Sequence, residues 1–424
     1  MVSIFIFHRD LRVEDNVGLN YCLDNFKSVL PIFVFDRKQL KSNYSSVNSI
    51  NFMLECLEEL QDRVVFFMGD LNKILKKLIE KYKVENIVFN VDYTPFARYR
   101  DDKVRLLCEK NNIKCMPFED YLYYPMGKIV KDDGNPYVIF TFFYNKFMEY
   151  FNIKSDIIIK NIKKIDKKLY IKNKKMIKQI YKKYGTKSNG LLIGGRIEAL
   201  KILDSNNFKT LKKNYEEIHN YPSKDTTRMS AYIKFGCISI REMFNNFKSN
   251  EALIRQLIWR EFYYYIGYYH PYVLGYEIII NNNQIKLKKI INQNFDRSVR
   301  KWKNNKKKFK LWCKGKLGID MVDAGMKELN QTGFMHNRLR LITANYLVKK
   351  LNIDWKWGEK YFATKLIDYD PFVNNGNWQW CAGTGTDNGL SAKISKNGRV
   401  FNPELQQKKY DKDKLYINKY LNNI

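Results

Sequence analysis

Residues 29–36 read VLPIFVFD. Apart from the proline and the closing aspartate, every position is apolar. Consecutive rather than alternating apolar residues, rich in Val and Phe, mark a short strand buried on both faces, as in a parallel sheet. The same signature recurs in VSIFIF (2–7), RVVFFMGD (63–70), ENIVFNVD (85–92) and IKCMPF (113–118). Between these runs, Ile50 to Leu60 and Leu71 to Tyr82 place apolar residues at helical spacing. Strands alternating with helices build a parallel sheet through right-handed crossovers. Residues 1–126 are therefore expected to form an α/β, Rossmann-like domain.

From 127 to 214 the pattern becomes irregular. The stretch KNIKKIDKKLYIKNKKMIKQIYKKYGTK (160–187) is heavily basic and shows no clean apolar stripe, so 127–214 is expected to be an interdomain surface linker. After Tyr215 strand signals fade and helical ones dominate, in EALIRQLIWREFYYYIGYY (251–269), IDMVDAGMKEL (319–329) and NRLRLITANYLVKKL (337–351). Residues 215–424 are expected to be an all-helical domain. All seven tryptophans lie in it, at 259, 302, 312, 355, 357, 378 and 380. Such segregation points to a use for indole there.

Two domains suit a chain of 424 residues. The formal charge of +31, from 75 Lys and Arg against 44 Asp and Glu, draws in polyanions, with nucleic acid the leading class. Many of the lysines are equally accounted for as solvated surface. Seven cysteines without a CxxC pair indicate neither a disulfide scaffold nor a zinc site. The opening MVSIFIFHRDLR has no basic leader, and its apolar run is too short for a signal core or a membrane span. A soluble intracellular protein is expected, in cytoplasm or nucleus according to where its target lies.

The run GTGTDNG (383–389) lacks the GxGxxG spacing and follows no strand, so it is not a dinucleotide loop. Four histidines, at 8, 219, 270 and 336, show no metal-ligand spacing, and no Ser or Cys sits in a nucleophile setting. What remains suits a phosphate-bearing aromatic ligand. Thr226, Thr227 and Ser230 offer hydroxyls ahead of a helix whose amides face a phosphate, or they simply cap it. Asn337 and Arg340 share a helical face, whereas Arg338 points elsewhere, toward a backbone phosphate. Asp368 and Asp370 are placed to accept hydrogen bonds from ring or ribose groups.

Taken together, FHRDLRVEDN (7–16), DYTPFARYRD (92–101), TTRMSAYIKFGCIS (226–239), LIWREFYYY (257–265), TGFMHNRLRLI (332–342), DWKWGEKYFATKLIDYDPFVNNGNWQWCAGTGTD (354–387) and FNPELQQKKYD (401–411) resemble the photolyase/cryptochrome family. Within it, the resemblance is to the class I cyclobutane pyrimidine dimer photolyases. It implies FAD held by Tyr215, by Thr226, Thr227, Arg228, Met229 and Ser230 around the phosphates, by Arg260, Asn337 and Arg340, and by Asp368 and Asp370. Asn374 matches the position facing the reactive flavin nitrogen. The implied partner is UV-damaged DNA with a flipped-out dimer, bound by a monomer through His219, Gln256, Trp259, Asn337, Arg338 and Gln406. The implied reaction is light-driven ring splitting by an electron from reduced flavin. Trp378, Trp355 and Trp302 match the family's electron-transfer chain, with Trp312 and Trp380 beside it.

The sequence departs from the family at several points. Gln256 stands where class I enzymes usually carry Glu, and (6-4) photolyases carry Gln there. Yet MHNRLRLI holds His336 alone, where (6-4) enzymes pair two histidines. Leu341 replaces a common Met, and His219 an Arg or Lys. Asn374 and Trp259 favour repair over a plant-type blue-light receptor, the alternative reading, as does the lack of a long tail. Ala97 falls where folate-binding relatives use Glu, so a second, antenna chromophore remains unidentified. The segment 391–399 lengthens the step between TGTD and FNP.

Overall fold

The computed structural model of the protein describes residues 1–42, 44–152, 160, 162–185, 191–386 and 400–422. The segment 391–399 lies outside them. The first domain runs β1 (Val2–Phe7), α1 (Val17–Asn25), β2 (Val29–Phe35), α2 (Arg37–Leu40), α3 (Val47–Leu60), β3 (Val65–Met68), α4 (Leu71–Lys81), β4 (Val84–Asn90), α5 (Pro95–Lys110) and β5 (Lys114–Phe118). The strands form one parallel sheet in the order β3-β2-β1-β4-β5. Because strand side chains alternate between faces, Ile4 and Ile6 of β1 pack with Leu75, Leu78, Val104 and Leu107 of α4 and α5. Phe5 and Phe7 enter the opposite core, which continues without a break into the helical domain.

The connecting segment is not irregular. It holds α6 (Phe140–Tyr150), α7 (Lys167–Tyr184), α8 (Arg196–Asp204) and α9 (Asn206–Lys213). Helix α7 covers much of the lysine-rich stretch expected as bare linker, and it packs against α3 and β3. Its inner stripe is Asn173, Ile177 and Ile180. The stripe is interrupted in sequence by the asparagine, which is buried and fully used. Asn173 Oδ1 accepts from the Phe66 amide at 3.0 Å, and its Nδ2 donates to the carbonyls of Gln61 and Val64.

The second domain contains α10 (Tyr215–Ile218), α11 (Ser230–Phe235), α12 (Ile240–Phe247), α13 (Glu251–Tyr269), β6 (Tyr276–Asn281), β7 (Gln284–Lys289), α14 (Lys306–Lys314), α15 (Asp320–Thr332), α16 (Asn337–Asn345), α17 (Trp355–Ala363), α18 (Pro371–Ala382), α19 (Pro403–Tyr410) and α20 (Leu415–Leu421). It is mostly helical rather than all-helical, since β6 and β7 form an antiparallel hairpin. Asn282 and Asn283, both with positive φ, make its two-residue turn. The hairpin leans on α5, where Asp102 Oδ2 accepts from the Ile285 amide at 2.8 Å.

Polar contacts centred on Asp120 join the two domains. Arg12 donates to both oxygens of Asp120 at 2.8 Å and to the Gly236 carbonyl. Arg241 of α12 binds Asp120 at 2.7 Å and Asp15 at 3.0 Å. Among the described residues, no helix is long and apolar enough to cross a membrane.

Candidate functional site

Helices α11, α13, α16 and α18, with Phe362 of α17, line a cavity of about 560 Å³, within the roughly 300–1,000 Å³ usual for small-molecule sites. Two glycines let them approach. A Cβ on Gly267 would strike the Phe372 ring, and one on Gly358 would strike the indole of Trp378. The edge of the Trp378 indole can therefore press against α17 while the residue forms part of the wall.

Every residue expected to hold the cofactor lines this cavity: Tyr215, Thr226, Thr227, Arg228, Met229, Ser230, Arg260, Asn337, Arg340, Asp368, Asp370 and Asn374. So do His219, Gln256 and Trp259. Asn337 and Arg340 share the cavity face of α16 as the helical spacing requires. Arg338 turns away, its guanidinium over the Tyr410 ring at 4.4 Å and bonded to Asn220, with Gln406 Oε1 at 3.5 Å.

Arg340 donates to both oxygens of Asp368, at 2.9 and 3.1 Å, and the Ser230 hydroxyl adds a bond at 2.7 Å. Burial alone would raise this carboxyl, but Arg340 and Ser230 outweigh it and hold Asp368 below the usual range. An anionic rim is thus fixed in place. Helix α11 begins without a side-chain cap, with Met229 and Ser230 at its start on the cavity lining.

Asp370 differs from the expectation. Its Oδ1 caps α18 through the Phe372 and Val373 amides, while Oδ2 binds Arg9 at 3.0 Å and the Tyr264 hydroxyl. Its carboxylate is thereby committed, and what it gives the cavity is a wall. Arg9 also binds Asp92 at 2.7 Å, so Asp370 fastens the α/β domain to the cavity floor. The motif FHRDLR was visible in sequence, but Arg9's partners lie far along the chain.

Arg260 packs over the Tyr121 ring at 4.2 Å and donates through Nη2 to the Tyr121 carbonyl. Its Nη1 is buried without a hydrogen-bond partner, at ion-pair range, 3.6 Å, from Glu261 Oε1. A buried guanidinium with a spare donor at a cavity wall fits a polar, electron-rich ring. Asn374 sends Nδ2 to Glu359 Oε1 at 3.0 Å and to the Glu359 carbonyl at 3.3 Å. Both partners are acceptors, so the amide's own oxygen is left for the cavity. Burial pushes the Glu359 carboxyl up to about 7. Lys234, on the same lining, is driven down to about 7 by burial and donates to Ser49 Oγ at 2.6 Å.

Trp259 lies 3.6 Å from the Phe140 ring at an interplanar angle of 4°, so one indole face is covered while the residue lines the cavity. Trp378, Trp355 and Trp312 are buried in one cluster, with Trp302 partly buried beside them. The Trp355 indole donates to Asn294 Oδ1 at 2.8 Å. Trp312, which the resemblance set beside the electron chain, has its ring 6.2 Å from that of Trp378.

Against this geometry, residues 253–424 match the family model for the FAD binding domain of DNA photolyase, and residues 3–161 match the DNA photolyase model. A deoxyribodipyrimidine photo-lyase of Buchnera aphidicola subsp. Acyrthosiphon pisum is 30% identical over 99% of this chain and 87% of its own. The chain belongs to the photolyase/cryptochrome family. Among solved structures, an archaeal photolyase from Sulfolobus tokodaii, described as holding two FAD molecules, superimposes with a TM-score of 0.82 at 35% identity, covering 99% of this chain and 90% of the other. A Synechocystis cryptochrome shares the fold with a TM-score of 0.79 at 21% identity, covering 99% of this chain and 88% of its own. The matched FAD-binding region thus includes α13, α16 and α18 of the cavity wall, and the spare donor of Arg260 and the fixed Asp368–Arg340 pair fit that cofactor.

Proposed function

We propose that this photolyase/cryptochrome protein is a deoxyribodipyrimidine photo-lyase that splits cyclobutane pyrimidine dimers in UV-damaged DNA. The observation that carries the reading is the single cavity in which the flavin-holding residues and the aromatic wall for a flipped base, Trp259, lie together. Tyr215 and Thr226 to Ser230 would hold the diphosphate, Arg340 and Asp368 the sugar end, and Arg260, Asn337 and Asn374 the ring side. Bound and reduced, FAD supplies the light-excited electron that opens the dimer.

The chain's own part is to place and shield. Arg260 offers a desolvated cation to the ring, and Asn374, held by Glu359, presents an oxygen to a ring N–H. Trp259 receives the extruded base by stacking, and Gln256 reads its edge, because flipping costs least where damage has already weakened stacking. His219 lies on the lining and Arg338 and Gln406, at hydrogen-bond range of each other, outside it; these three would contact the DNA, Arg338 through a backbone phosphate. Trp378, Trp355 and Trp302 would carry electrons inward from the surface. A monomer suffices for all of this, working in whichever compartment holds the DNA.

A (6-4) mechanism needs an acid, and His336 does not provide one. Its Nδ1 accepts from the Arg338 amide as the cap of α16, and burial with Arg338 and Arg340 pushes its pKa down to about 4. The test is illumination of the reduced protein with DNA carrying one defined lesion. Loss of the cyclobutane dimer is expected. Repair of (6-4) products alone, or of neither lesion, would overturn the reading, the latter favouring a photoreceptor.

A further inference from the structure

Tyr369 lines the cavity between Asp368 and Asp370, and its hydroxyl donates to Glu359 Oε1 at 3.2 Å. That oxygen also accepts from Asn374. Glu359 is 3% exposed, and the cation acting on it, Lys360, is the weakest of the influences on its carboxyl. The neighbouring pair, Tyr264 with Asp370, is different, because Arg9 binds that carboxylate directly. On its outer side the Tyr369 ring lies 6.3 Å from that of Tyr44, which is 44% exposed. A half-buried phenol bonded to a buried carboxyl that no cation touches directly, with a surface phenol near its ring, is an arrangement that hydrogen bonding for stability alone does not require.

A phenol that loses an electron becomes a strong acid. Its oxidation in a buried site is favourable only where a positioned base takes the proton at once. We propose that Tyr369, with Glu359 as proton acceptor and Tyr44 as the link to solvent, is a second electron donor into the cavity, separate from the indoles. The inference rests on the flavin reading above. One electron leaves Tyr369 for the light-excited oxidised flavin ring, the phenolic O–H bond breaks, and the proton binds Glu359. Tyr369 is then a neutral radical and Glu359 a neutral acid. An electron from Tyr44 and the proton returned by Glu359 restore Tyr369, while the Tyr44 proton leaves to water. A solution thiol finally gives Tyr44 a hydrogen atom. Burial helps twice: it keeps Tyr369 protonated far beyond its ordinary range and makes Glu359 a better base than a surface carboxylate.

The experiment uses the flavin-loaded full chain carrying Trp378→Phe, so that the indole route is closed. Light-driven flavin reduction with dithiothreitol is followed by absorbance, and radicals are trapped by freezing and identified by electron paramagnetic resonance with ring-deuterated tyrosine. The Trp378→Phe protein should retain slow reduction and show a tyrosyl signal. Adding Tyr369→Phe should lower both at least tenfold, and adding Glu359→Gln should lower both several-fold. A residual rate within twofold in the Tyr369→Phe double variant would overturn the proposal, as would a Trp378→Phe protein with no tyrosyl radical, a result independent of how well the double variant folds. Protein that binds no flavin at all would overturn the cofactor reading beneath it. Flavin bound with the rates unchanged removes Tyr369 alone.

Discussion

Single residues in this protein often answer to partners that local sequence does not reveal. Trp378 lies in the wall because Gly358 makes room for it, and Trp378→Phe keeps that packing while removing an oxidisable indole. Light-driven reduction of oxidised flavin should slow at least tenfold, while chemically reduced protein repairs dimers within about twofold of wild type. Equal losses in both assays would assign Trp378 to packing instead. His336 gives a second prediction. Its native pKa of about 4 lies below the usual 6.5, so between those values the unfolded chain binds a proton that the folded chain refuses. Stability should therefore rise with pH across this window, by up to a few kcal/mol, and be lost on acidification from 6.5 toward 4. His336→Asn keeps a capping acceptor without the titration. Urea unfolding at pH 4.5 and 7 should show a smaller acid loss in the variant. An unchanged acid limb would place the titration elsewhere. The residues that line the cavity were legible from their motifs, but the commitment of Asp370 to Arg9 was not, since it joins positions at opposite ends of the chain.

At the scale of elements, legibility followed the regularity of the buried face. The five strands were clear because each of β1 to β5 contains a short apolar run, such as IFIF in β1 and VFFM in β3, and α13 because nearly all of its second half is buried. Helix α7 was hidden because its stripe contains Asn173 among many lysines. The hairpin was hidden because β6 and β7 are largely exposed and turn on Asn282 and Asn283 without the glycine that usually marks such turns. The role of Asn173 is open to measurement. Asn173→Ala removes its bonds to Phe66, Gln61 and Val64 and leaves buried backbone groups unpaired, which should cost about 2–4 kcal/mol. Lys175→Ala, on the exposed side of the same helix, should stay within about 0.5 kcal/mol. Equal effects in urea unfolding would show that α7 is held by its lysines rather than by its edge against β3.

At the scale of the molecule, domain docking bears on the cavity, because Asp370 binds Arg9 and the end of α11 meets Leu11 and Arg12 in the segment after β1. Arg12 is central to that docking. It bridges Asp120, the Asp15 carbonyl and the Gly236 carbonyl, where α11 ends against the first domain. Burial would raise Asp120, but Arg12 and Arg241 together more than offset it and hold its pKa below the ordinary value. The stability Asp120 contributes is present above the unfolded carboxylate's range and lost as pH falls through the lowered native value. Arg12→Met removes one of the two cations and leaves three buried acceptors short of a donor, so it should cost about 3–5 kcal/mol near neutrality. Losing a cation also lifts Asp120 toward its unfolded pKa, so the stability gap between variant and wild type should narrow on acidification toward pH 3. Urea unfolding at pH 7 and pH 3 measures both. A gap that stays constant with pH would mean that Arg12 acts through its packing and its carbonyl bonds, and that the charge network does not hold the domains around the flavin cavity.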